Sequence, residues 1–206
     1  MLKLSAPKKR FGLFVIGGWL LLILSNQVEE FRLYQGAFVA TYALAIASII
    51  LLTGYSGQLS LGHGALMAVG AYAGALATNN LMWHPAIALV FATFVAGLFG
   101  LLLGSAVARL SGPYLAGTTL ALAVSLPSLA NQFPILGGEQ GLIFDVGAAP
   151  ARFGEEFSQY KWFFWIASLA ALIMVWFVVN IVSSRYGRTF RAMRDNPTAA
   201  ELAGVN

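Results

Sequence analysis

Six stretches without a single Asp, Glu, Lys or Arg follow one another along this chain, at residues 11–28, 33–53, 59–78, 85–107, 114–133 and 162–182. A helix needs about 20 mostly apolar residues to cross the hydrocarbon core of a bilayer, since each residue adds about 1.5 Å of rise. Inside that core every backbone N–H and C=O must be bonded within the protein, which favours helices over isolated strands. The composition fits the same solvent: 59% of the residues are hydrophobic and 10% charged, against roughly 25% charged in soluble domains. The predicted fold is therefore all-α, a polytopic membrane bundle of about six spanning helices. Lys8, Lys9 and Arg10 precede the first run as they would in a signal peptide. No small-residue cleavage pattern follows, however: Asn26, Gln27, Glu29 and Glu30 do, which makes this run a retained anchor.

The basic residues set the orientation. With the N-terminus inside, six crossings put Lys3, Lys8, Lys9, Arg10, Arg109, Arg185, Arg188, Arg191 and Arg194 on the cytoplasmic side. Only Arg32, Arg152 and Lys161 fall outside. The opposite orientation would invert that bias, so both termini are predicted to be cytoplasmic. Trp83, Tyr160 and Trp162 then stand at outer helix ends, where amphipathic rings settle at headgroup level. The loop 134–161 is predicted to be external, with Glu139, Asp145, Glu155 and Glu156 against Arg152 and Lys161. Gly137, Gly138 and Gly141 suggest a tight turn within it.

Two segments carry more than hydropathy. In the first, residues 52–72, glycines crowd the junction of the second and third runs. Gly70 and Gly74 form a small-xxx-small pair, as do Gly100 and Gly104 in the fourth run, and tight helix packing accounts for both. Gly54, Gly57, Gly62 and Gly64 are denser than packing requires, so there the chain is expected to bend or to let a backbone or a solute come close. The junction is either an ordinary inner loop or the break in a discontinuous element. His63 is the one readily titratable side chain within a run. It reads either as a neutral histidine bonded to a carbonyl or as a contact for a passing solute. Ser56, Gln58, Ser60, Gly62, His63 and Gly64 are the candidate path residues.

The second segment spans residues 184–206, taken as a cytoplasmic piece following a transmembrane domain of residues 1–183. Arg188, Arg191 and Arg194 recur every third residue, which places a basic face on a short helix leaving the last span. Asn196 or Asp195 can cap a second helix with Pro197 in its first turn. Ala199, Ala200 and Ala203 make a small surface ending at Gly204. Attraction to anionic lipid accounts for the arginines. It leaves the capped alanine element unexplained, and that element reads as a docking piece.

Four stretches together resemble the permease subunits of ABC importers for branched-chain amino acids. They are TGYSGQLSLGHGALMAVGAY at 53–72, RLSGPYLAGTTLALAV at 109–124, LGGEQGL at 136–142 and GRTFRAMRDNPTAAELAGVN at 187–206. The last is similar to the cytoplasmic coupling loop of that family, with Thr198 where the general motif has Glu and with Ala199, Ala200 and Gly204 matching. Permeases for urea and short amides share much of the pattern. The resemblance implies an inner-membrane permease of a prokaryote. Its implied partners are ABC ATPase subunits, a second homologous permease subunit and an extracytoplasmic substrate-binding protein. It also implies that Arg188, Arg191, Arg194, Asn196, Ala199, Ala200 and Gly204 engage the ATPase. Members of the family usually continue beyond this loop, so further C-terminal spanning helices are expected to be missing from the chain.

Energetics leads the same way. The chain has no Gly-x-x-x-x-Gly-Lys-Ser/Thr phosphate loop, so ATP is expected to be hydrolysed by a partner and no cofactor is expected here. The runs hold no carboxylate or arginine from which a proton relay is usually built. Two other classes compete. Gly54-Tyr55-Ser56-Gly57 matches the Gly-x-Ser-Gly of rhomboid-type intramembrane proteases, but His63 would lie about 10 Å of helical rise from Ser56. A secondary carrier or channel is the third reading. An enzyme is not expected.

Overall fold

The structure is a computed structural model that describes residues 7–110, 112–144, 147, 149–150, 153–154 and 157–205. Lys3, Ser111, Asp145, Arg152, Glu155, Glu156 and Asn206, which enter the charge, loop and motif readings above, lie outside the described residues. The described elements are helical: α1 (Pro7–Leu24), α2 (Glu30–Ile49), a π-helical turn (Ile50–Tyr55), α3 (His63–Asn79), α4 (Pro85–Val107) and α5 (Pro113–Asn131). Two short 3-10 turns, α6 (Gln159–Ser183), α7 (Arg185–Asp195) and α8 (Pro197–Leu202) follow. Four helical stretches are long and apolar enough to cross a membrane: Glu30–Tyr55, Pro85–Val107, Pro113–Asn131 and Gln159–Ser183. The helix at the first predicted run is apolar but shorter, and the helix at the third has 17 residues.

The contacts divide the chain into two compact units, one of residues 1–57 with 148–206 and one of residues 58–147. In the first unit α2 packs along α6, and α1 packs on α6. Leu33, Ala37 and Phe164 form the buried cluster there, flanked by Leu21, Val28 and Trp165. Gly36 allows the approach, since a Cβ on it would stand 2.8 Å from the Phe164 ring. Helix α1 stops before the predicted end at residue 28. Its last turn is capped from the side: Ser25 Oγ donates to the Leu22 carbonyl at 2.7 Å and Asn26 Nδ2 to the same oxygen at 3.0 Å, bonds that compete with helix continuation. Ser25 Oγ then accepts from Trp165 Nε1 at 2.9 Å, which ties the α1–α2 turn to α6.

In the second unit α3 and α4 pack through small residues. Ala88, Ala92, Ala96, Gly100 and Gly104 recur every fourth position along α4. A Cβ on Gly70 or Gly74 of α3 would stand 3.4 Å from the Cβ of Ala96 or Ala92 respectively, and one on Gly100 would stand 3.5 Å from Leu66. These three glycines therefore serve close packing, as expected. Gly104 meets nothing within 4 Å, so the packing stripe ends before it. The described core is mostly alanine, whereas large apolar side chains point outward: Val90 is 71% exposed and Leu101 70%. That inversion suits a hydrocarbon solvent, where packing rather than water exclusion joins the helices. The turn expected at Gly137–Gly141 is present, with φ of +84° at Gly137 and +69° at Gly141.

The third predicted run, residues 59–78, is corrected at its start. Helix α3 begins only at His63, because Gly57 takes φ +70° and residues 58–62 run outside any helix. His63 is thus the first residue of α3.

Candidate functional site

The glycine-rich junction comprises a π turn and an irregular stretch, residues 58–62, before α3 begins. Within the first unit, α2 widens into the π turn before leaving at Gly57. Ser56 ends this turn, its amide donating to the Leu51 carbonyl at 3.3 Å and its Oγ facing the same oxygen at 3.4 Å. Single π turns inside α-helices concentrate at functional positions. Gly54 meets only its own Ile50 side chain, at 3.7 Å.

Within the second unit, residues 58–62 run beside α5. The Leu61 amide donates to Thr119 Oγ1 at 3.0 Å, while that hydroxyl donates to the Leu115 carbonyl at 2.8 Å. Gly62 permits the contact, for a Cβ on it would meet the Thr119 Cβ at 3.1 Å. Ser60 Oγ accepts weakly from the Gly62 amide at 3.4 Å, and Gln58 is exposed. His63 is half-buried, and its Nδ1 has no partner within hydrogen-bond distance among the described residues. Gly64 meets nothing within 4 Å among the described residues, so the close approach expected at that glycine is not made there. Of the candidate path residues, Ser56 thus belongs to the first unit and Gln58, Ser60, Gly62, His63 and Gly64 to the second.

The C-terminal segment is two helices set at a sharp corner. Ser184 caps α7, its Oγ accepting from the Tyr186 amide at 3.1 Å. Arg188, Arg191 and Arg194 lie on α7 as the spacing predicts. Asn196, in extended conformation, caps α8 by accepting from the Ala199 amide at 3.0 Å, with Pro197 at the first helical position. Gly204 closes the segment with φ +85°. The expected small surface is not uniform: Ala199 is exposed, but Ala200 is only 4% exposed and faces the protein. Arg194 reaches the carbonyl oxygen of Gly54 through Nη1 and pairs with Asp195 at 2.8 Å.

One feature of the first unit was missed from the sequence. A cavity of about 550 Å³ is lined by Ser25, Asn26, Glu30, Phe157, Ser158 and Lys161, among others. Lys161 Nζ donates to Asn26 Oδ1 and stands 5.4 Å from the Phe157 ring centre and 5.8 Å from that of Trp165. Its stem and charge clasp the start of α6 to the α1–α2 turn. The available signal was a lone lysine inside an aromatic run, Tyr160-Lys161-Trp162-Phe163-Phe164-Trp165. The cavity shares no residue with the candidate path.

A helical chain with an apolar exterior, a small-residue core and a basic, capped C-terminal segment has the make-up of a polytopic membrane permease. Residues 33–206 match the family described as "Branched-chain amino acid transport system / permease component". The chain belongs to that family, and it is a multi-pass inner-membrane protein. It is similar to the "High-affinity branched-chain amino acid transport system permease protein LivM" of Escherichia coli (strain K12), 29% identical over 189 residues. The LivM of Salmonella typhimurium (strain LT2) is likewise 29% identical over 189 residues. Each alignment covers 80% of this chain and 44% of the relative, so the chain spans less than half the length of the curated relatives it matches. No solved structure matches. The matched region includes Gly54-Tyr55-Ser56-Gly57, the stretch that resembles a protease motif.

Proposed function

We propose that the chain is the membrane-spanning part of an ATP-driven importer for branched-chain or other hydrophobic amino acids. The observation that carries this reading is α8: a short helix, capped by Asn196 and Pro197, that follows basic α7 at the end of a family-matched chain. Such an element transmits a rigid push from a groove on a separate ATPase. In this reading residues 184–206 are the cytoplasmic coupling segment, and both termini are cytoplasmic. ATP is hydrolysed by partner subunits, while a second permease subunit and an extracytoplasmic binding protein complete the importer. Ser56, Gln58, Ser60, Gly62, His63 and Gly64 border the route, where polar backbone and side-chain groups meet the charged ends of an amino acid whose side chain suits apolar walls. Two contacts suit the crossing count. Lys161 bonds to Asn26 and Arg194 to Gly54, pairs that six crossings place together outside and inside respectively.

Radiolabelled leucine uptake in cells carrying the chain with its native partners tests the reading. Depleting ATP while the proton gradient is held should abolish uptake, and collapsing the gradient at constant ATP should leave it. The reverse pattern would establish a proton-driven carrier instead.

A further inference from the structure

The end of α2 is bound by two arginines of α7 at consecutive positions. The π turn Ile50–Tyr55 leaves carbonyls at its C-terminal end beyond those that Ser56 and Gly57 amides satisfy on Leu51 and Thr53. The Gly54 carbonyl is taken by Arg194 Nη1. Beside it the Arg191 guanidinium lies 5.9 Å from the centre of the Tyr55 ring. Two residues further on, the Arg194 stem occupies the space of the absent Gly57 side chain: a Cβ there would stand 2.6 Å from the Arg194 Cγ. Gly57 also holds φ +70°, a conformation that other residues adopt at a cost. A guanidinium on a free carbonyl at a helix C-terminus is charge-assisted and aligned with the helix dipole. The adjacent Arg194–Asp195 pair, 40% and 65% exposed, contributes little by comparison. Attraction to anionic lipid explains neither the carbonyl contact nor the glycine that makes room for the arginine stem.

We propose that Arg194 is a positioning residue that fastens the C-terminal segment to the π turn, so that α7 and the end of α2 move as one piece. A push received by α8 then reaches Gly57, the residue at which the chain leaves α2 for the stretch carrying Gln58, Ser60 and His63. The inference rests on the importer reading and assigns it a mechanical link.

The chain has no cysteine, which permits a rescue experiment. A Cβ on Gly57 would stand 3.3 Å from the Arg194 Cβ, close to disulfide spacing. The Gly57→Cys/Arg194→Cys chain, in membrane vesicles with its native partners, should oxidise to an intramolecular disulfide with copper phenanthroline. Reduced, it should take up leucine about tenfold more slowly than wild type, the order of effect that one charge-assisted hydrogen bond supports. Oxidised, it should regain uptake, because the covalent link replaces the guanidinium. Failure to form the disulfide overturns the contact, and a disulfide that blocks uptake overturns movement as one piece. Should the double variant not reach the membrane, Arg194→Gln must lower uptake at an unchanged membrane level; unchanged uptake overturns the role. Absence of leucine uptake in wild type would defeat the importer reading instead, while disulfide yield still decides the contact.

Discussion

At Gly187 the protein leaves no room for a side chain: a Cβ there would stand 2.1 Å from the carbonyl oxygen of Val182. The corner between α6 and α7 makes this demand, since Ser184 turns extended (ψ −178°) and folds the first turn of α7 back against the end of α6. Gly187→Ala should therefore destabilise the protein by about 3 kcal/mol, within the range for overpacking a fixed backbone. The check is the melting temperature of the detergent-solubilised protein. An unchanged value would mean that the corner opens freely. Gly64 is the opposite case. It has open space around its Cα and lies in the first turn of α3 at an ordinary φ. Gly64→Ala should leave stability unchanged or raise it by up to about 1 kcal/mol, by helix propensity. A loss of leucine uptake in that variant would then report on the route rather than on the fold. The glycines between 54 and 64 were visible as a cluster in the sequence. Which of them is tight was not, because tightness depends on a neighbour such as Thr119, distant in the chain and close to Gly62.

Among the elements, α8 was legible almost residue by residue. An extended Asn followed by Pro specifies the cap and start of this helix, Ala199, Ala200 and Glu201 favour its continuation, and these are local interactions. Its exposed face was not legible, because a six-residue helix of small side chains carries no strong periodic signal. Ala199 is exposed and Ala200 buried, so the two positions separate docking from folding. Ala199→Trp should release the ATPase or uncouple its hydrolysis from transport while the melting temperature holds. Ala200→Trp should lower the melting temperature, as the buried site has no room for its ring. Co-purification of the ATPase with each variant checks this. If Ala199→Trp retains the ATPase and transports normally, α8 is not the docking element. The start of α3 was misplaced for a different reason. Residues 59–62 are apolar enough for a span, but a single positive φ at Gly57 and the bond from the Leu61 amide to Thr119 hold them out of the helix.

At the scale of the molecule, the expected six crossings would place the α3–α4 turn outside and α8 inside. Met82 and Leu202 are 84% and 87% exposed, which makes them suitable reporters of sidedness. In this cysteine-free chain, Met82→Cys should react with an impermeant maleimide applied to intact cells. Leu202→Cys should react only after permeabilisation. Exchange of the two patterns would invert the orientation. The charge counts predict this arrangement.

Hydropathy by itself determined the class of this protein and the positions of its long helices. A bilayer imposes a length and a composition on any segment that crosses it, and both are written in consecutive residues. Capping by Asn196, the basic register of α7 and the packing role of Gly70, Gly74 and Gly100 were likewise determined locally, by spacings of three or four positions. The tertiary structure alone decided that Trp165 bonds to Ser25 and that Lys161 bonds to Asn26 beside a cavity. It alone placed Arg194 on the carbonyl of Gly54. The bonds of Trp165 to Ser25, Lys161 to Asn26 and Arg194 to Gly54 each join groups more than a hundred residues apart, and no local pattern encodes which distant partner satisfies a free carbonyl, an indole N–H or a lysine.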